Sequence, residues 1–130
     1  MALRSAYFQR LNGGPKVLLW GDLVGMHALG DFLREMLVVP RAETLSSFCE
    51  PIDGKNITVR MRANRRDTGM RLKTGGLEWT LRAQSADDFA ALLDTLATSG
   101  KAGHQYLTCG VTDEIMVMVS HGEYPDSLRP

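Results

Sequence analysis

Cysteine is nearly absent from this chain. Cys49 and Cys109 are its only two and form no CxxC pair, so neither a disulfide framework nor a zinc ribbon is supported. No stretch approaches the roughly 18 consecutive apolar residues of a membrane-spanning helix, and the opening MALRSAYFQRL lacks the apolar core of a signal peptide. A cytoplasmic protein with no membrane segment is therefore expected. Catalytic signatures are missing as well. There is no HExxH and no GxSxG, and the interval Gly25 to Gly30 has a phosphate loop's glycine spacing but is followed by Asp31, where such a loop needs lysine. No internal repeat and no low-complexity segment is visible. Neither sign of charge prevails, since 15 Lys and Arg balance 15 Asp and Glu, so any electrostatic role must lie in how the charges are distributed.

What is present suits one compact domain, 1–130. A chain of 130 residues can bury a sizeable core without disulfides or metal, and its 44% hydrophobic and 23% charged fractions lie near globular averages and imply neither a disordered chain nor a coiled coil. The run from Ile115 to Val119 is apolar at every position, which suits a strand covered on both faces in the middle of a sheet. Residues 5–10 and 16–20 read as strands around the turn signal Asn12-Gly13-Gly14-Pro15. Asp22 is placed to cap a helix over 23–37, whose Leu23, Met26, Leu33 and Leu37 follow the helical period until Pro40 ends it.

Residues 40–56 read as a long connection, with Leu45 and Phe48 on the core and a helical turn near 43–48. Then Ile57, Val59, Met61, Met70, Leu72, Leu77, Trp79 and Leu81 alternate with polar residues. This predicts a three-stranded antiparallel meander turning at 64–69 and 74–76, with Ile57, Val59, Met61, Leu72, Trp79 and Leu81 inside. Ser85 with Asp88 resembles a capping box opening a second helix to about Thr98, and Gly100 suits its end. A short strand at 104–107 and the central strand at 114–120 follow. The order predicts an α+β fold: a single, mostly antiparallel sheet of about five to six strands with two helices packed on one face.

The charges are segregated. Residues 57–82 carry Arg60, Arg62, Arg65, Arg66, Arg71, Lys73 and Arg82 against Asp67 and Glu78, a net of +5; residues 83–130 carry a net of −5. The outward positions Arg60, Arg62, Arg71, Lys73 and Arg82 should project from one sheet face, with Arg65 and Arg66 at its first turn. Such a face suits an acidic protein partner. Nucleic acid is the weaker candidate, because Trp79 points inward and leaves the face no aromatic on which bases would stack. The plain alternative is a solvated face whose aliphatic stems cover apolar surface.

A second candidate site lies at the sheet rim, where His104, Tyr106, Asp113, His121 and Glu123 flank the central strand, near Cys109. These are residue types of a small-ligand or acid–base site. Catalysis would need a nucleophile within reach of a base, or three ligands on one ion, and the spacing supplies neither. No catalytic residue, cofactor or metal is therefore expected. Asn56-Ile57-Thr58 matches a glycosylation acceptor, which has no meaning without export, and His27 lies beside the first helix's apolar stripe as a boundary residue.

HQYL at 104–107, the apolar strand opened by Asp113-Glu114, SHGEYP at 120–125 and the WGD at 20–22 leading into a Leu-rich helix resemble a group of small bacterial α+β proteins. That group includes predicted immunity proteins of bacterial toxin systems, and the resemblance covers the last quarter of the chain and one junction. It implies a protein that binds and blocks a partner and performs no chemistry. The expectation is thus a non-enzymatic protein-binding function through a charged surface, with a rim site around His104 and Glu123 for a small molecule or reaction as the alternative.

Overall fold

The structure, a computed structural model, describes residues 3–63, 68–108 and 115–130. The chain opens with a hairpin of β1 (Leu3–Leu11) and β2 (Gly14–Gly21). Its two-residue turn needs positive φ twice, which Asn12 (51°) and Gly13 (95°) supply. Lys16 is only 5% exposed, yet its Nζ stays satisfied by donating to the carbonyls of Leu11 (2.6 Å) and Asn12 (3.3 Å). α1 (Leu23–Val38) begins as expected, with Asp22 Oδ1 accepting from the Gly25 amide at 2.9 Å.

A single helical turn does form within the expected 43–48, closed by the Phe48 and Cys49 amides donating to the Leu45 carbonyl at 3.2 and 2.9 Å, and it is flanked by two short strands, β3 (Glu43–Thr44) and β4 (Cys49–Pro51). Both are extended because tertiary pairing holds them: Glu43 and Thr44 face Val59 and Thr58, while Cys49 and Glu50 face Leu3 and Arg4. β5 (Asn56–Met61), β6 (Gly69–Lys73) and β7 (Gly76–Leu81) follow, then α2 (Ala83–Ser99), β8 (Gly103–Tyr106) and β9 (Met116–His121). The expected capping box does not form. α2 starts three residues earlier, with Arg82 instead of Ser85 at the cap position, and Ser85 is buried within the first turn. Gly100, at φ 65°, ends the helix as anticipated.

The fold is α+β, but the single antiparallel sheet is replaced by two mixed sheets of order β4-β1-β2-β9-β8 and β3-β5-β7-β6. Nor is 57–82 a meander: β5 pairs parallel with β7, and only β6–β7 is a hairpin. Alternation assigns side chains to faces but carries no information on strand order, which explains the error. The turn expected at 64–69 falls largely outside the described residues. β9 is internal, flanked by β2 and β8, with Val117, Met118 and Val119 buried, as the unbroken apolar run implied.

An architectural repeat underlies the two sheets. In each half a hairpin and helix are followed by short strands, β3 and β4 in the first half and β8 in the second, and then by a longer strand that crosses into the other half's sheet. β9 lies parallel to β2, and β5 lies parallel to β7. Lys16 faces Met116 in one sheet and Gly76 faces Asn56 in the other, each residue 60 positions from its counterpart. The helices obey the same relation, since α1 packs on α2 and Arg34 forms an ion pair with Asp94, also 60 positions on. The halves are interlocked by strand exchange.

The inner faces of both sheets and the buried stripes of both helices share one core, including Leu3, Val17, Leu19, Leu33, Ile57, Val59, Trp79, Leu93 and Val119. Trp79 stacks on Phe89 with centroids 5.8 Å apart. Leu72, expected inside, is 47% exposed, because β6 is an edge strand and its end overhangs the core. Met61 is only partly buried. The outer face of the first sheet is also apolar. Ala6, Phe8, Leu18, Trp20 and Met118 form a second cluster, covered by Ile52, Tyr124 and Leu128. The chain after β9 is thus a packed cover, fastened by Trp20 Nε1 donating to the Pro125 carbonyl at 3.1 Å and by the Arg4–Asp126 ion pair at 3.0 Å.

Candidate functional site

The second sheet's outer face is polar. Arg60 lies beside Thr80, Arg71 beside Glu78 and Lys73 beside Gly76, and laterally paired residues share a face. Arg62, whose amide donates to the Leu81 carbonyl at 2.8 Å, and Arg82 continue the alternation at the strand ends. Pairing therefore places Arg60, Arg71 and Lys73 on one side of the sheet, with Arg62 and Arg82 just beyond the paired residues. These outward positions differ in exposure. Arg60, Arg71 and Arg82 are half-buried, while Arg62 and Lys73 are exposed.

Glu78 accounts for part of this, since its Oε2 accepts from Arg60 Nε at 2.9 Å, and Arg71 Nη2 donates to the Thr68 carbonyl at 3.3 Å. The side chains of Arg62 and Lys73 make no hydrogen bond or ion pair with the described residues, so their charge is the most available. Two shallow concavities meet at Arg60: about 150 Å³ lined by Thr58, Lys73 and Glu78, and about 230 Å³ lined by Pro40, Arg41 and Arg62. Both are open to solvent. Arg65 and Arg66 lie outside the described residues.

The rim residues divide into two groups. His104, on β8, faces Ser120 on β9, and Glu123 reaches both from the chain after β9. Ser120 Oγ donates to Glu123 Oε1 at 2.6 Å, and His104 Nδ1 lies 2.9 and 3.1 Å from the two carboxylate oxygens. An ionised carboxylate only accepts, so Nδ1 carries the proton. Tyr106 sets its ring edgewise to the imidazole at 5.5 Å. Ser120 is wholly buried and its hydroxyl is directed to the carboxylate instead of the imidazole, so the three do not form a nucleophile–base pair.

His121 stands apart. Its Nδ1 is 3.3 Å from the Lys101 carbonyl, and it lines a separate concavity of about 350 Å³ with Arg4, Asp22 and Asp126. Asp113 and Cys109 lie outside the described residues. Among the described residues the predicted rim set does not converge on one cavity. Among the described residues no three His, Cys, Asp or Glu side chains gather as a metal site would require. No helix among them is long and apolar enough to cross a membrane. His27 is exposed.

Sequence reasoning missed Ser120, whose role follows only from pairing with β8, and the covering role of Tyr124 to Leu128. The signal for the second was present in hindsight: β2 reads Val17-Leu18-Leu19-Trp20, apolar on both faces, which requires a second cover. No family model matches this chain, and no curated protein matches it in sequence.

Proposed function

We propose that this protein acts without catalysis, by binding another protein through the basic outer face of its second sheet, in the manner of an immunity-type protein that blocks a partner. One observation carries the reading: the two sheets are built alike, yet among the described residues the outer face of the first is covered by an apolar cluster and the closing segment of the chain, while the outer face of the second carries charged side chains. The corresponding face of the second presents Arg60, Arg62, Arg71, Lys73 and Arg82 around Glu78. An acidic partner surface would be steered to such a face over roughly 10 Å at 0.1 M salt.

The alternative, a small-molecule or enzymatic site at His104 and Glu123, is less well supported. That pair sits on the surface and joins β8, β9 and the covering segment, which is the work of a brace. Affinity capture with wild-type protein and with the double reversal Arg62→Glu, Lys73→Glu separates the two. Both residues are exposed, so the fold should persist. Loss of the captured partner on reversal, with retention in His104→Ala, supports the basic face; the opposite pattern supports the rim.

A further inference from the structure

β1 is a paired strand on one side and only half of one on the other. β4 runs parallel to it along Leu3 to Ser5 and then stops at Pro51. The edge is carried two residues further by local bonds: the Ile52 amide donates to the Ser5 carbonyl at 2.8 Å, and the Tyr7 amide donates to Asp53 Oδ2 at 2.8 Å. Beyond Tyr7 no strand pairs with this edge among the described residues. A concavity of about 560 Å³ runs along it, lined by both faces of the strand through Tyr7, Phe8, Gln9 and Arg10, and on the far side by Leu72 of β6. Leu72 is one of only four large apolar side chains among the described residues that stand exposed.

The chemistry of this groove is one-sided. Arg10 and Lys55 lie on it, with Pro130 of the closing segment at its border, and its one carboxylate side chain, Asp53, is occupied: Oδ2 accepts from the Tyr7 amide and Oδ1 from the Lys55 amide at 3.1 Å. An open strand edge, an apolar floor and a basic lip match an extended segment that adds to the sheet through its backbone and offers apolar side chains flanked by carboxylates.

We propose that the edge of β1 from Tyr7 to Leu11 receives an extended acidic segment of a partner protein as an added strand, continuing the line that β4 abandons. This deepens the protein-binding reading and rests on it, while using a surface distinct from the basic sheet face.

The test uses the isotope-labelled full chain and two synthetic ten-residue peptides, one alternating valine with glutamate and one alternating valine with lysine. Titration to about 1 mM, a range suited to short segments, should shift the Gln9 and Arg10 amides with the acidic peptide only. Gln9→Pro, which removes an edge donor where proline is tolerated, should weaken binding at least about tenfold, as should Arg10→Glu with Lys55→Glu. The reversal pair keeps the test valid if the proline variant does not fold. No shift at Gln9 and Arg10, or equal shifts with the lysine peptide, overturns the proposal. Shifts confined to Arg62 and Lys73 overturn it while leaving the basic-face reading intact.

Discussion

Replacing Trp79 by alanine is the most informative single perturbation of the core. Trp79 is fully buried at the centre of β7, facing Val59 on one side and Met70 on the other, and its ring lies within 15° of parallel to Phe89 of α2. The substitution therefore removes the contact between the second sheet and the second helix and leaves a void that neighbours on two rigid elements can only partly fill. Large-to-alanine changes at such sites cost roughly 3–5 kcal/mol. Set against a typical domain stability of about 5–15 kcal/mol, the loss should be plain in urea denaturation as a lower midpoint at unchanged slope. The thermal midpoint should fall on the order of 10–20 °C. Trp79→Phe keeps a stacked ring and should lose markedly less. A loss below about 1 kcal/mol for Trp79→Ala, the size expected at a surface position, would refute the placement of β7 at the heart of the common core.

Two glycines should respond in opposite directions. A Cβ on Gly76 would stand 2.8 Å from the Asn56 carbonyl across the parallel β5–β7 pair, so Gly76→Ala should destabilise by about 1–3 kcal/mol; Gly30→Ala meets nothing closer than 3.6 Å and should stabilise by about 0.5–1 kcal/mol, both read from denaturation midpoints. Burial pushes the Cys49 thiol up from 9.0 to about 11, against a partial lowering by the Ser5 hydroxyl. Because the folded state holds the neutral thiol, this contribution to stability is full below pH 9.0 and is lost as pH rises toward about 11. In a Cys109→Ser background Cys49 should resist a thiol reagent at pH 8 until the protein is unfolded, and rapid native-state labelling would contradict its burial.

What could be read from sequence was what depends on neighbours along the chain. The Asp22 cap, the Asn12-Gly13 turn, the Gly100 helix end and the two-faced burial of Val117 to Val119 are all local patterns with one physical solution. The two sheets were not legible, because the exchange of β5 and β9 between halves leaves each strand's alternation unchanged. The repeat was hidden for a related reason. Counterparts such as Lys16 and Gly76, or Arg34 and Asp94, share a position and no chemistry, so only the pairing reveals them. At the candidate site, the shared side of Arg60, Arg71 and Lys73 followed from alternation. The neutralising role of Glu78 and the bracing of Glu123 by Ser120 depended on cross-strand partners that periodicity does not specify.

The central claim is that the basic face of the second sheet is a binding surface. Its most direct measurement is the association rate of wild-type protein with its captured partner as ionic strength is raised, alongside the Arg62→Glu, Lys73→Glu variant. The account predicts a wild-type rate that falls steeply with salt, and a variant rate that is lower at the outset and nearly flat. Wild-type and variant rates that coincide and do not respond to salt would contradict it.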